Sequence, residues 1–391
     1  MKMRQLALTS AILVTGAAHA QSSVTLFGLI DTGVVYVNNQ RAVATNPNVG
    51  GSSWSLQSGN VFTSRWGLRG TEDLGGGLSA VFWLENGFNV DTGAFKNGGD
   101  LFGRQAWVGL SATQYGTVTL GRQYDFMVSY LAPLSATGSG FGGNLATHPY
   151  DNDNLNNDMR LNNSVKFSSV AFDGVKVGAM YAFSGAAGQV SNNNAYSAGI
   201  SYAFGPINLA ASYLQINRDA NNPNATGAVS TGDGDALTTG GLQRMYGAGA
   251  QYVFGASSVG LVWTHSSTAN VTGVWQGGST TTGKLTGSYL KFDNFEINGR
   301  YFLTPVLSLG ASYTYTMGSF EAPNGANPHW NQVMAQTDYA LSKRTDIYME
   351  GVYQRVGGGN NLPVFDAGVY SLNPSRSDEQ VVVAVGIKHR F

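Results

Sequence analysis

The chain has 391 residues, with 22 basic and 23 acidic side chains, a formal charge of −1 and no cysteine. Charged residues are only 12%, against roughly 25% in a soluble domain, and the 53 glycines are about twice the usual share. Absent cysteine excludes disulfides, thiolate metal centres and thiol catalysis, and a near-neutral charge offers no footing for nucleic acid.

In chain order, the first segment reads as a secretory signal. Lys2 and Arg4 precede a short apolar run, Leu6 to Val14, and Ala18-His19-Ala20 forms an A-x-A cleavage site. The run is too short to span a membrane comfortably. The expectation is a cleaved signal over 1–20, a mature start at Gln21, and one domain over 21–391. The mature chain then keeps 20 basic residues, two fewer than the 22 of the whole chain, against 23 acidic ones, so its formal charge is −3.

Beyond residue 20, period-2 alternation recurs in segments of about ten residues. In 306–316, Leu307, Leu309, Ala311, Tyr313 and Tyr315 share one face, and Val306, Ser308, Gly310, Ser312, Thr314 and Thr316 the other. In 195–204, Tyr196, Ala198, Ile200, Tyr202 and Phe204 oppose Ser197, Gly199, Ser201 and Ala203. A soluble sandwich would place charge on its second face. Small polar residues there fit a water-filled lumen, and a mean hydropathy of −0.10 fits strands that show lipid one face only.

The pattern predicts an all-β fold, a transmembrane antiparallel barrel of about 16 strands. The expected spans are 22–37, 61–71, 77–89, 103–113, 116–125, 162–171, 174–184, 194–204, 206–217, 243–254, 256–267, 290–303, 306–317, 329–341, 345–356 and 380–391. Short turns alternate with long loops, expected at 38–60, 90–102, 126–161, 185–193, 218–242, 268–289, 318–328 and 357–379. Short periplasmic turns and long external loops have this asymmetry. The last strand ends in Phe391, outward with Val381, Val383, Val385, Ile387 and His389, and pairing it with the first strand would close the barrel. Phe204, Phe254, Tyr301, Tyr315, Tyr339 and Phe391 near strand ends read as an interfacial girdle.

Four runs carry a family resemblance: Ser23-Val24-Thr25-Leu26-Phe27-Gly28, the stretch from Ser64 to Gly75, Gly103-Arg104-Gln105-Ala106-Trp107-Val108-Gly109-Leu110, and Leu120-Gly121-Arg122-Gln123-Tyr124. They resemble the general porins of Gram-negative bacteria, in their β-proteobacterial branch. The resemblance implies a homotrimer of 16-stranded outer-membrane barrels and passive diffusion of ions and small hydrophilic solutes. It also implies a long third loop folded into the pore as a constriction. Outer-membrane lipid, lipopolysaccharide and the barrel-assembly machinery are the implied partners, the last engaging the C-terminal Phe391.

The third long loop is 126–161, and its small-residue run from Ser135 to Gly143 suits packing against a wall. The family places arginines opposite, and the matching positions are Arg65, Arg104 and Arg160. Alternation supports Arg65, on the face opposite Trp66 and Leu68, and Arg160, on the face opposite Val165 and Phe167. For Arg104 it is weaker, since Gln105, Trp107 and Gly109 are expected to face outward. Arg122 shares a face with Val118 and Leu120, so its direction is ambiguous. Further candidate lumen charges are Asp31, Glu85, Lys166, Glu296 and Arg300. The run 133–143 departs from the family in holding no acid, and unpaired positive charge predicts a mild anion preference.

Other chemistry is weak. The stretch from Asp151 to Asp158 lacks the glycine and the final glutamate of a calcium loop and reads as a solvated loop, so neither a metal nor a cofactor is expected. No serine–histidine pair has a hydrolase pattern, so no enzymatic activity is expected. The competing function is a substrate-specific channel, which would show a track of lumen aromatics or a denser array of cations.

Overall fold

The computed structural model describes residues 23–219, 224–230, 238–277 and 282–391. The expected signal over 1–20 lies outside them, as do parts of the loops expected at 218–242 and 268–289. The described residues form eighteen strands: β1 (Ser23–Val43), β2 (Asn46–Ser58), β3 (Arg65–Gly75), β4 (Leu78–Gly87), β5 (Gln105–Ala112), β6 (Gly116–Gln123), β7 (Leu161–Ser169), β8 (Val175–Ala182) and β9 (Asn194–Phe204). They continue as β10 (Ile207–Asn217), β11 (Thr238–Thr239), β12 (Gln243–Phe254), β13 (Ser257–Trp275), β14 (Thr282–Phe302), β15 (Leu307–Glu321), β16 (His329–Ala340), β17 (Thr345–Gly357) and β18 (Glu379–Arg390).

These make sixteen wall strands. Both β2 and β3 pair with β1, from Thr32↔Ser58 upward and from Leu29↔Arg65 downward, so they are one wall strand interrupted at residues 59–64. The short β11 continues β12 along the edge of β13. Every wall strand is antiparallel to its neighbours, and β1 pairs with β18 from Leu29↔Arg390 to Val37↔Val382. Closure leaves no backbone edge facing lipid, where an unpaired N–H or C=O costs several kcal/mol. Phe391 completes the seam: its N–H and C=O both bond Gly28, each at 3.0 Å. Its ring covers the glycine on the outer face, where a Cβ would stand 2.2 Å from it.

The alternation is realised as expected. Along β15, Leu309, Tyr313 and Met317 are exposed on the outer face, while Ser308, Ser312, Thr314 and Thr316 are buried inside. The turns are tight where glycine accepts a left-handed backbone, as at Gly205 (φ 54°) and Gly255 (φ 61°). Beside them Phe204, Phe254, Tyr301, Tyr339 and Phe391 are exposed outward, forming a ring at the turn end. Tyr315 is the exception, lying well inside β15 opposite Asn331.

Two expected loops are strand instead. Residues 38–43 continue β1 and 46–58 form β2, where a loop over 38–60 was expected. Likewise β13 runs to Trp275 and β14 starts at Thr282, inside the expected 268–289 loop. The extensions of β13 and β14 repeat no hydrophobic residue on their exposed face, and in β2 only Trp54 and Leu56 alternate outward, so period 2 does not mark them as strands.

The segment between β6 and β7 does not leave the barrel. Short helical turns at Met127–Leu131, Ala132–Leu134, Gly143–Ala146 and Pro149–Asp151 fold it into the lumen. Phe126, Met127, Leu131 and Leu134 bury against Met180, Leu214, Met245 and Val262 of the wall. Farther on, Phe141 and Leu145 bury against Met334, Val352 and Val382. Lumen glycines make the seat: a Cβ at Gly178 would stand 2.1 Å from the Phe126 ring, and one at Gly310 2.6 Å from the Phe141 ring. Gly178→Leu should therefore lift Phe126 off β8, an overpacking cost of about 1–3 kcal/mol. A lower thermal midpoint of the refolded barrel and noisier single-channel current are the expected readouts; native values of both would contradict the seat.

Candidate functional site

The chemistry concentrates where β3 begins, β4 ends and β5 begins. Glu85 is nearly fully buried and accepts from Arg104 Nε at 2.5 Å and from Trp83 Nε1 at 3.0 Å. Arg65 Nη1 lies 3.9 Å from the same carboxylate and keeps 23% of its side chain open. Asn157 Oδ1 accepts from Arg104 at 3.2 Å and from Arg160 at 3.3 Å. The two guanidinium carbons lie 5.9 and 5.7 Å from the Tyr124 ring, within cation–π range. Arg65, Arg104 and Arg160 thus converge on one level of the lumen. Gln105, Trp107 and Gly109, expected outward, share the lumen face instead, since Gln105 pairs with Glu85 and Trp107 with Trp83. Arg104 precedes β5, and its side chain turns to Glu85, so strand parity does not govern it.

Arg122 sits at a bulge between Gly121 and Gln123, donating to the Gly103 carbonyl at 2.7 Å and to Asn162 Oδ1 at 2.5 Å. The bulge is why its parity was unreadable. Other expected lumen charges act as fasteners. Asp31 is fully buried and shapes the 59–64 break, accepting from the Val61 and Phe62 N–H groups at 2.9 and 2.7 Å and from the Tyr348 hydroxyl at 2.6 Å. Lys166 donates to Tyr124 O (2.7 Å) and Ser129 Oγ (2.8 Å), pinning the start of the lumen loop. Arg300 lies nearer the turns, bonded to Ser308 Oγ at 3.0 Å and 3.6 Å from Asp338, beside an ion pair between Lys388 and Asp338.

Glu296 fastens the middle of the loop. It accepts from Ala136 N–H at 2.8 Å and from His148 Nε2 at 2.9 Å, while His148 Nδ1 lies 2.7 Å from Asp153. An imidazole donates from both nitrogens only as the cation. Burial alone would lower the His148 pKa, but Asp153 and Glu296 outweigh it and hold the group up to about 10. Asp153, though buried, is held below the ordinary carboxylate value by His148 and by the Thr264 hydroxyl. The stretch from Asp151 to Asp158, expected to be a solvated loop, is therefore largely buried. Its carboxylates take bonds from Asn156 N–H, His148 and the Tyr370 hydroxyl, because the fold turns the segment inward.

Sequence reasoning missed Lys96, Asn157, Tyr124 and His148 as members of the site. Lys96 lies in the 88–104 connection, where strand parity says nothing, and its N–H bonds the Gly87 carbonyl at 2.8 Å. Burial, and then Arg104 and Arg160, lower its pKa to about 8 against the opposing pull of Asp158. Its charge is thus lost as pH rises through about 8. Any anion preference should weaken between neutral and mildly alkaline solution, measured as reversal potential against pH. A flat profile would remove Lys96 from the field.

The Gram-negative porin family model matches residues 7–359. Over the full length of both chains, the sequence is 32% identical to an outer membrane porin protein of Bordetella pertussis and 32% identical to outer membrane porin protein 32 of Delftia acidovorans. Among solved structures, the anion-selective porin from Comamonas acidovorans superposes with a TM-score of 0.70 at 25% identity, covering 95% of this chain and 100% of that one. A closed sixteen-stranded barrel, a loop folded into its lumen and full-length likeness to these proteins together make this chain a member of the Gram-negative porin family, a diffusion channel of the outer membrane.

Proposed function

We propose that this porin prefers anions weakly and that its narrowest level lies between the lumen loop and Arg65, Arg104 and Arg160. The observation that carries the reading is the charge count at that level. Arg65, Lys96, Arg104 and Arg160 face two carboxylates, Glu85 and Asp158. A positive excess in a narrow, poorly solvated passage concentrates anions. Likeness to the anion-selective porin from Comamonas acidovorans supports the same sign. The test is reversal potential in planar bilayers under a KCl gradient: chloride should permeate more readily than potassium, and a cation preference would overturn the reading.

The proposal extends to assembly. Family membership, together with Trp54 and Leu56 exposed on the outer face of β2, supports a homotrimer, and single-channel steps in groups of three would report it. Cleavage after Ala20, recognition of Phe391 by the assembly machinery and contact with lipopolysaccharide belong to the same reading. Transport then needs no chemical step, cofactor or metal, only passage.

A further inference from the structure

On the turn side of the arginine cluster the lumen wall changes character. Arg69, Trp83 and Trp107 lie side by side across β3, β4 and β5. Gly67 leaves room for Phe27 to lean over from β1, since a Cβ there would stand 2.7 Å from that ring. The Phe27 and Trp83 centroids are 4.7 Å apart, and Trp83 stacks on Trp107 at 6.3 Å with 16° between planes. The Arg69 guanidinium carbon is 5.4 Å from both the Phe27 and the Trp83 ring. Arg69 is exposed, and no carboxylate of the described residues lies within ion-pair distance of it.

Aromatic rings on the outer face are repaid by lipid contact, but in a watery lumen they are not. On the lumen faces of β13 to β15, Thr264, Asn294, Thr314 and Thr316 are polar, and the rings of Phe292 and Phe320 are packed away in a buried cluster. The indole N–H groups are already bonded, Trp83 to Glu85 at 3.0 Å and Trp107 to Gln105 at 3.1 Å. The N–H edges are thus committed to Glu85 and Gln105, while both indoles stay partly open to the lumen. An open guanidinium beside partly open aromatic rings suits an anion carrying a flat ring.

We propose that Phe27, Arg69, Trp83 and Trp107 form a binding site for small aromatic carboxylates, the ring stacking on the indoles and the carboxylate pairing with Arg69. The proposal rests on the barrel being an open channel. An anion leaving the arginine level would meet this site two residues farther along β4, from Glu85 to Trp83.

The experiment uses the purified full-length barrel in planar bilayers, first in KCl alone. Ohmic steps there establish the channel independently of the site. Benzoate, cyclohexanecarboxylate and acetate are then titrated from each side. Benzoate should reduce the current at a half-blocking concentration roughly threefold or more below that of cyclohexanecarboxylate, the scale of a stacking and cation–π contribution. The turn side should be the more sensitive. Trp83→Leu should erase the difference between the two acids, and Arg69→Gln, which touches no group of the arginine level, should weaken block by both with its KCl steps retained. Equal block by benzoate and cyclohexanecarboxylate in the native channel overturns the site even if the variants fail to fold. So does unchanged benzoate block in Trp83→Leu.

Discussion

His148→Ala should release the lumen loop. The side chain stands between the Asp153 and Glu296 carboxylates, all three fully or nearly fully buried. Removing it leaves two acids facing each other without a cation, and breaking such a buried pair costs about 3–5 kcal/mol. The loop keeps its apolar contacts with β8 to β13, so the barrel should still close. Its middle would lose the wall, and single-channel conductance should rise by roughly half or more with greater open-channel noise, since the loop narrows the passage. Native conductance, noise and thermal midpoint would together show that the pair does not hold the loop. The native protein carries a pH signature of the same contact. His148 has its folded pKa raised from 6.5 to about 10, so its contribution is complete below about 6.5. It declines above that value and is gone once pH passes about 10. Asp153 has its folded pKa lowered, so its contribution is present above 3.8 and is lost as pH falls through the lowered value. Loop retention should therefore fail at both extremes, seen as increased conductance and noise.

Neutralising Arg65 and Lys96 together should abolish ion selectivity without unfolding the barrel. Arg104 is matched by Glu85 at 2.5 Å, and Arg160 interacts electrostatically with Asp158, so those pairs add little net field. Arg65 is 3.9 Å from Glu85 and partly open, and Lys96 is half-buried at the same level. Their two charges are the excess. The double variant Arg65→Gln, Lys96→Gln should bring the chloride-to-potassium permeability ratio to about one, because the concentrating potential of the passage is removed. Retained anion preference would assign the field to other groups. Arg104→Gln is the informative contrast. It leaves the buried Glu85 with only the Trp83 N–H and the Arg65 guanidinium 3.9 Å away, a loss approaching the about 3–5 kcal/mol of a broken buried pair, and should appear as poor refolding rather than as a clean change in selectivity.

Legibility differed sharply between wall and lumen. Within the apolar band, strand after strand could be read, because lipid on one side and water on the other force hydrophobic residues onto alternate positions. Outside that band the constraint vanishes. The extensions of β13 and β14 were therefore invisible to periodicity, and in β2 the outward pair Trp54 and Leu56 is too short a run to register. The same limit applies to single residues. Alternation places Arg65 on the lumen face correctly, but it fails for Arg104, which precedes its strand, and at Arg122, where a bulge resets parity.

Small lumen residues illustrate a different gap. Gly178 and Gly310 suit a water-filled channel when read along their strands. In the fold they are the floor on which Phe126 and Phe141 rest. Alternation identifies a face as inward but says nothing of what lies against it, because the loop that fills the space is distant in sequence. Asp31 and Glu296 are likewise inward acids by pattern, and only the folded loop and the 59–64 break turn them into fasteners.

The sequence by itself determined the barrel, its closure at Phe391 and the inward face of most strands, since these follow from local alternation and from lipid's intolerance of unpaired backbone. Tertiary structure alone decided which inward charges remain available to solutes. That depends on pairings such as Arg104 with Glu85 across 19 residues and His148 with Glu296 across 148. A charge's effect on a passing ion is set by its nearest counter-charge, and proximity of that kind exists only after the chain has closed on itself.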